Sequence, residues 1–334
     1  MNKEIDISII IVNWNTEQLL RACLRSVFQS SKKIRYEVFV VDNDSKDGSV
    51  RMVRDEFPEA RLIESKENLG FGRGNNLAIP QCTGEYILFL NPDTEIREDT
   101  LVRMTDFMRS HENAGAAGPR TVHEDGSVQI STAMFPRLWT IFTNNVSPRK
   151  ALSAFSIFRK ILKIEASHSS NGSEIEGDSH TKPVETLYGD FIIVRKSILD
   201  ATGGFDPERF MYEEEVDLCY RIHQAGWEIW YVNEAEIIHH ERQSIRQLPN
   251  HIKKEVDWFI TGRAWFFGKH HGKLHVLCFY MFNWINSLIK LPLYGVLYFI
   301  QPGRRERCRE RMVWDGLVLL WYPEQIFPKS KGRS

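Results

Sequence analysis

The chain has 334 residues, enough to bury a full core as one large domain with an appendage. Its 43 Lys and Arg against 44 Asp and Glu leave a formal net charge of -1, which argues against a protein devoted to binding nucleic acid. Cys23, Cys82, Cys219, Cys278 and Cys308 are scattered with no CxxC pair, so they read as thiols of a reducing compartment rather than as a disulfide framework.

The first apolar run, residues 7–12, follows Glu4 and Asp6 and is short for a signal peptide, so it reads as a buried strand. Leu19, Leu20, Cys23, Leu24, Val27 and Phe28 then recur at helical spacing. Residues 38–41 form a second strand candidate, followed by a helix through Val50, Val53 and Phe57. A short third strand is expected at 61–63, and a fourth at 86–90, with a helix through Leu101, Val102, Met104, Thr105 and Met108 after it. Such alternation implies an α/β fold with a mostly parallel central sheet and helices on both faces. The stretch 165–185 lacks apolar periodicity and is expected to be a flexible loop. Strands are expected at 191–194, 228–232 and 236–239, and a helix over 214–225 stopped by Gly226. The catalytic domain is therefore placed at 1–245 and a C-terminal helical region at 246–334.

Two strands end in acid. Residues 38–41 run into Asp42-Asn43-Asp44, and 86–90 run into Asn91-Pro92-Asp93. In open α/β sheets ligands bind beyond the carboxyl ends of the strands, and carboxylates delivered there suit a hard divalent cation on phosphate oxygens. Asp and Asn also make ordinary turns, but two acidic clusters on one expected edge exceed that role. The run Glu213-Glu214-Glu215-Val216-Asp217 opens a helix, where acids favour the dipole, yet three consecutive glutamates exceed what capping needs. One of these carboxylates is a candidate general base. His239-His240 ends an apolar run, either as structural residues or to complete a metal site. Gly70-Phe71-Gly72-Arg73-Gly74-Asn75 fails the dinucleotide fingerprint, because its third glycine would fall at Asn75. It can still open a helix towards a diphosphate, with Arg73 as an anion partner.

The ordered set of motifs resembles family 2 glycosyltransferases, in the subgroup of bacterial rhamnosyltransferases of cell-surface polysaccharide assembly. It comprises Ser8-Ile9-Ile10-Ile11-Val12-Asn13-Trp14-Asn15, Val41 to Ser49, Asn68-Leu69-Gly70-Phe71-Gly72, Asn91-Pro92-Asp93, Gly189-Asp190-Phe191, Gly203-Gly204-Phe205-Asp206 and Phe210 to Cys219. The resemblance implies a GT-A fold, an inverting mechanism and a divalent metal, Mn2+ or Mg2+. It implies a nucleotide-sugar site at Val12, Asn13, Asp42, Asp44, Asn68, Gly70, Arg73, Asn75, Asn91 and Asp190. It places the metal at Asp93 and His239, with Asn91 standing where many relatives have a first Asp. The base falls at Glu215, with Glu214 and Asp217 as alternatives. The implied donor is a nucleotide-diphosphate sugar, with dTDP-rhamnose as the leading choice, and the acceptor a glycan or a lipid-linked glycan. A non-catalytic nucleotide-sugar-binding scaffold on the same fold is the competing reading.

Residues 274–300 are rich in Leu, Ile, Phe, Tyr and Trp, but Asn283, Asn286, Lys290 and Pro292 interrupt them. A helix lying in the membrane interface is expected, with Arg304, Arg305, Arg307, Arg309 and Arg311 meeting anionic lipid on the cytoplasmic side. The competing readings are a helical subdomain packed on the core or a homodimer contact.

Overall fold

The computed structural model describes residues 5–31, 33–140, 180–240 and 251–320. These divide into two compact units, one drawn from Met1–Phe135 and Ser173–Pro249, the other from Pro136–Gly172 and Asn250–Ser334.

The first unit is α/β. Strand β1 (Ile7–Asn13) pairs in parallel with β2 (Tyr36–Asp42) on one side and β4 (Tyr86–Leu90) on the other, while β3 (Arg61–Glu64) extends the sheet beyond β2. Beyond β4 come β11 (Phe191–Arg195), β6 (Ala114–Val122), β12 (Glu228–His239) and β5 (Thr94–Ile96), with β7 (Val128–Gln129) and β9 (Lys182–Val184) as side pairings. Strands β8 (Thr132–Ala133) and β10 (Thr186–Leu187) form a separate antiparallel pair. Strand β11 is antiparallel to both β4 and β6, and β12 is parallel to β6. The carboxyl ends of β1, β2, β4, β6 and β12 therefore share one edge.

Every residue of β1 is buried, as the continuous apolar run of a strand covered on both faces requires. On one face Ile7, Ile9 and Ile11 join Val38, Val40, Leu88 and Leu90 beneath three helices: α1 (Glu17–Gln29), α2 (Ser49–Glu56) and α4 (Thr100–Ser110). The apolar stripes of these helices, such as Leu20, Cys23, Leu24 and Val27 on α1, supply the cover. The other face carries α3 (Gly70–Ala78), α5 (Lys196–Thr202) and α6 (Glu214–Gln224), with Phe205 edge-on to Phe89 at 4.7 Å.

Three sequence expectations change. The strands expected at 228–232 and 236–239 are one strand, β12, whose register shifts between Val232 and Glu236 so that exposed Glu234 bulges out. Of the expected flexible loop at 165–185, Lys182–Val184 is a strand paired antiparallel to β12, and 165–179 lies outside the described residues. Strand β6 was not expected, because Ala114-Gly115-Ala116-Ala117-Gly118 has little β propensity. Its small residues are dictated by packing. A Cβ on Gly115 would lie 2.6 Å from Trp227, and one on Gly118 would lie 2.8 Å from Leu187.

The second unit is helical: α7 (His251–His271), α8 (Lys273–Ile300) and α9 (Arg305–Leu320). Its core joins Val256, Ile260, Ala264 and Phe267 to Phe279 and Val318. Pro292 does not end α8, which runs unbroken for 28 residues.

Asp6 locks the start of the sheet. Its carboxylate accepts bonds from the Arg35 amide (2.8 Å), Arg35 Nε (3.3 Å) and Arg109 Nη2 (2.7 Å), tying β1 to β2 and α4. Burial pushes this carboxyl up, but the hydrogen bonds from Arg35 and Arg109 and the charge of Arg35 outweigh it and hold it below the ordinary value. A depressed carboxyl adds stability above its unfolded pKa and loses it as pH falls through the folded one. Asp6→Asn is therefore expected to lower the melting temperature at neutral pH, with the deficit closing below about pH 4. Melts from pH 2 to 8 check this, and a deficit independent of pH would refute it.

Candidate functional site

The β1–β2 register places Asn13 beside Asp42 at the sheet edge. Asn13 is fully buried and oriented from both ends. Its Nδ2 donates to Asp42 Oδ1 and Ser45 Oγ, both at 3.1 Å, and its Oδ1 accepts from Thr16 Oγ1 at 2.7 Å. Asp42 Oδ2 accepts from the Ser45 amide at 2.9 Å, so the motif folds back on itself. Asp44 sits at a positive φ of 63° with its carboxylate 2.5 Å from Lys46 Nζ. Ser45 and Thr16 join the site without a sequence signal of their own. Each sits inside a quoted or adjoining motif, and each carries a hydroxyl suited to orienting an amide.

Helix α3 wedges against these ends, and its glycines explain the Gly70-x-Gly72-x-Gly74 pattern. Gly70 has φ +78°, and a Cβ there would lie 2.0 Å from the Phe210 carbonyl oxygen. A Cβ on Gly72 would meet Phe205 at 2.9 Å, and one on Gly74 would meet Val12 at 2.8 Å. The helix therefore touches β1 on one side and the approach to α6 on the other. Asn43 Nδ2 donates to the Gly70 carbonyl at 3.0 Å, and Asn75 Nδ2 to the Phe71 carbonyl at 3.0 Å. The buried amide oxygens of both accept no hydrogen bond from the protein. Asn68 Oδ1 caps the Gly70 amide at 2.9 Å, and Arg73 Nε donates to the Leu69 carbonyl at 3.0 Å.

At the end of β4, the Asn91 amide donates to the Asp190 carbonyl at 3.0 Å, because Phe191 pairs with Leu90 across the antiparallel β4–β11 ladder. His239 pairs with Thr94, at the junction of β12 and β5. Its Nε2 lies 3.3 Å from Oδ1 of buried Asp93. His240 is engaged elsewhere, with Nε2 2.8 Å from Glu95 and Nδ1 2.6 Å from Glu124. Asp190 is buried beside this pair and accepts from Thr121 Oγ1 at 2.7 Å. Burial pushes its carboxyl up, while His239, the Thr121 hydroxyl and the Phe191 amide pull it down, with a net rise. Among the described residues no group of three or more His, Cys, Asp or Glu is arranged to hold a metal. One carboxylate and one imidazole fit a cation that takes its remaining ligands from diphosphate oxygens and water.

The three candidate bases differ in environment. Tyr212 and Glu213 both adopt left-handed backbone, at φ 64° and 70°, immediately before α6. Two such non-glycine residues in a row cost about 1–3 kcal/mol each and cluster at functional sites. Asp217 is fully buried and paired with Arg221 at 2.8 Å. That guanidinium also donates to the carbonyls of Thr202, Gly203 and Gly204, so Asp217 is committed to holding the 202–204 turn. Glu214 is 3% exposed, and its Oε2 accepts no hydrogen bond from the protein. Burial pushes its carboxyl up to about 7; its backbone amide and the Arg209 charge oppose this, and Glu213 adds to it. Glu215, on the first turn of α6, is half-buried rather than enclosed.

Residues 8–164 match the profile of Glycosyl transferase family 2. The chain is 30% identical over 224 residues to the N-acetylglucosaminyl-diphospho-decaprenol L-rhamnosyltransferase of Mycobacterium tuberculosis, covering 64% of this chain and 69% of that protein. It is 27% identical over 272 residues to the rhamnosyltransferase WbbL of Escherichia coli K12, covering 75% and 89%. Among solved structures, the mannosyltransferase PcManGT of Pyrobaculum calidifontis, in complex with GDP-Man and Mn2+, superposes with a TM-score of 0.52 at 14% identity, covering 98% of this chain and 89% of that one. GalNAc-T7 with UDP, GalNAc and Mn2+ gives 0.52 at 13% identity over 72% and 45%. The chain therefore has the GT-A fold, belongs to glycosyl transferase family 2 alongside rhamnosyltransferases, and is a glycosyltransferase.

Proposed function

We propose that this chain is an inverting, metal-dependent glycosyltransferase that moves a rhamnose from dTDP-rhamnose onto a lipid-linked glycan of cell-surface polysaccharide synthesis. The observation that carries the reading is the convergence of Asn13–Asp42, the start of α3, Asp93–His239 and the start of α6 on one edge of the sheet. The names of the M. tuberculosis and E. coli relatives support rhamnose as the sugar, and the former supports a polyprenyl-diphosphate-linked acceptor. Such an acceptor places the reaction at the cytoplasmic face of the membrane, with the protein held there peripherally.

In this reading Asn13, Asp42 and Asp44 take the nucleoside, and the glycine-rich start of α3 approaches the diphosphate, with Asn68, Gly70, Arg73 and Asn75 around it. Val12, Asn91 and Asp190 complete the donor wall. Asp93 and His239 would hold a Mn2+ or Mg2+ ion, which when bound offsets charge on the departing nucleoside diphosphate. The acceptor hydroxyl attacks the anomeric carbon from the face opposite the diphosphate. Glu215 takes the hydroxyl proton as the new bond forms, and the anomeric centre inverts because no enzyme nucleophile intervenes. Glu215 is preferred over its neighbours because Asp217 is spent on Arg221 and Glu214 is enclosed.

Glu215→Gln is expected to lower kcat by about 10²–10⁴-fold with donor binding retained, whereas Asp217→Asn should act mainly through stability. Wild-type turnover in Glu215→Gln would move the base to Glu214. Asp93→Ala and His239→Ala should each abolish the extra thermal stabilisation that manganese gives to the donor complex. Thermal shifts with dTDP-, UDP- and GDP-sugars, with and without Mn2+, read this directly, since a ligand at about 100 times its Kd adds about 2.7 kcal/mol. If no nucleotide sugar shifts the melt, the proposal fails; binding without transfer to any polyprenyl-linked acceptor would instead indicate a scaffold.

Glu214 gives a separate pH signature. A carboxyl whose folded pKa is raised contributes stability below its unfolded value, lost as pH rises towards about 7. Glu214→Gln is therefore expected to melt level with wild type near pH 4 and above it at pH 8. Parallel melting curves across that range would show that the carboxyl is not held neutral.

A further inference from the structure

The helical unit keeps an apolar core, but one of its helices also turns an apolar face outward. Helix α8 exposes large apolar side chains along its length, among them Leu277 (49%), Met281 (52%), Trp284 (52%), Leu288 (45%) and Phe299 (76%). With 3.6 residues per turn, these and the other exposed apolar residues of α8 fall within an arc of about 160°. The opposite face is covered by protein, and there α8 buries polar groups. Asn286 is 6% and Ser287 1% exposed, and Ser287 Oγ donates to buried Asp315 of α9 at 3.0 Å. Burial pushes the Asp315 carboxyl up, against the Ser287 hydroxyl and the charges of Lys290 and Arg311. A helix packed in water shows the reverse pattern, with the polar face outward. The Ser287–Asp315 hydrogen bond between helices, under an apolar outer surface, suits contact with lipid, while the buried Asn286 Oδ1 accepts no hydrogen bond from the protein.

The charges around the stripe name the kind of lipid. On α9, which turns back against α8, Arg305, Arg307, Arg309 and Arg311 are exposed, with Glu306 and Glu310 among them, so four positive charges meet two negative ones. Exposed Lys269 and Lys273 stand at the N-terminal end of the stripe. Basic groups flanking an apolar face complement anionic headgroups. Helix α8 is long and apolar enough to cross a membrane, and 17% of its most apolar stretch is buried. The covered inner face, and the charged exposed surface of α9 beside α8, argue for one-sided seating rather than a span.

We propose that the outer face of α8 seats in the surface of an anionic lipid bilayer, with the Ser287–Asp315 contact holding α9 against its inner face. This deepens, and rests on, the peripheral membrane contact proposed above. It assigns that contact to one helix face.

The test is flotation of the full-length protein with vesicles of phosphatidylcholine and phosphatidylglycerol. Wild type should float. A variant with Leu277→Gln, Met281→Gln, Trp284→Gln and Leu288→Gln should bind at least about tenfold more weakly, with its melting temperature and its transfer to a water-soluble acceptor unchanged. In wild type, lipids carrying a bromine-labelled acyl chain should quench tryptophan emission, and Trp284→Phe should lose part of that quenching. If the variant floats as well as wild type, the assigned face is wrong while membrane contact stands. If wild type floats with no vesicle, both fall, whereas the sugar-transfer reading is judged on its own assay. Wild type that dimerises without lipid, fails to float, and turns monomeric in the variant would make the face a contact between copies and overturn the proposal. Retention in cell membranes after an alkaline carbonate wash would overturn it in favour of a span.

Discussion

The parallel pairing of β1 with both β2 and β4 is the constraint on which the site depends. Hydrogen bonding in register forces Asn13 beside Asp42 and Ile11 beside Leu90, so two acidic turns emerge at one edge whatever else the chain does. A slip of one residue in β2 would turn its inward side chains outward and carry Asp42 away from Asn13. Burial on both faces of β2 makes such a slip costly, because Val38 and Val40 on one side and Phe39 and Val41 on the other are enclosed, and exchanging them would put phenylalanine where valine is close-packed. Burial thus sets the register, and the register places the chemistry. The antiparallel arrival of β11 then brings Asp190 to the same edge, and the parallel return of β12 brings His239.

Much of this was legible in the sequence, because parallel strands announce themselves as continuous apolar runs, and two acidic clusters at one edge are more than ordinary turns require. β1, β2 and β4 carry that signal, and the alternation of strands with helices carries the fold class. What escaped was decided by contacts distant in sequence. Strand β6 reads as a weak Ala-Gly stretch until Trp227 and Leu187 are placed against Gly115 and Gly118. The glycines of α3 resemble a broken dinucleotide motif until Phe210, Phe205 and Val12 supply the close approaches that demand them. Arg221, which joins four acceptors drawn from α6 and the 202–204 turn, shows no local signal because three of those acceptors are backbone carbonyls about 17–19 positions away.

The Glu-rich start of α6 shows how one helical turn can give three carboxylates different properties. Asp217 points into the protein and meets a guanidinium four residues on, so its charge is compensated. Glu214 is equally enclosed but faces no such partner at hydrogen-bond distance on its Oε2, and its carboxyl rises towards neutrality. Glu215 lies between them in sequence and is turned towards the surface. Spacing along a helix, rather than residue type, separates these roles. The left-handed pair Tyr212-Glu213 sets the direction from which the helix begins, and so the direction each carboxylate faces.

In the helical unit, α8 buries polar side chains on one face and exposes apolar ones on the other. Pro292 removes an amide and leaves the Leu288 carbonyl without its helical donor, a defect that usually ends a helix in water. Helix α8 nonetheless continues for two further turns, to Ile300. It packs on one side, against α7 and α9, through Phe279 and the Ser287–Asp315 bond. A core would ordinarily claim the apolar side chains first and leave the polar ones outside. Here Asn286, Ser287 and Asp315 are inside, while Met281, Trp284 and Phe299 are outside. An interhelical hydrogen bond such as Ser287–Asp315 gains most where the outer surroundings offer no competing water. The arrangement is therefore most stable with the apolar face of α8 against something other than bulk solvent, as the proposed bilayer contact provides.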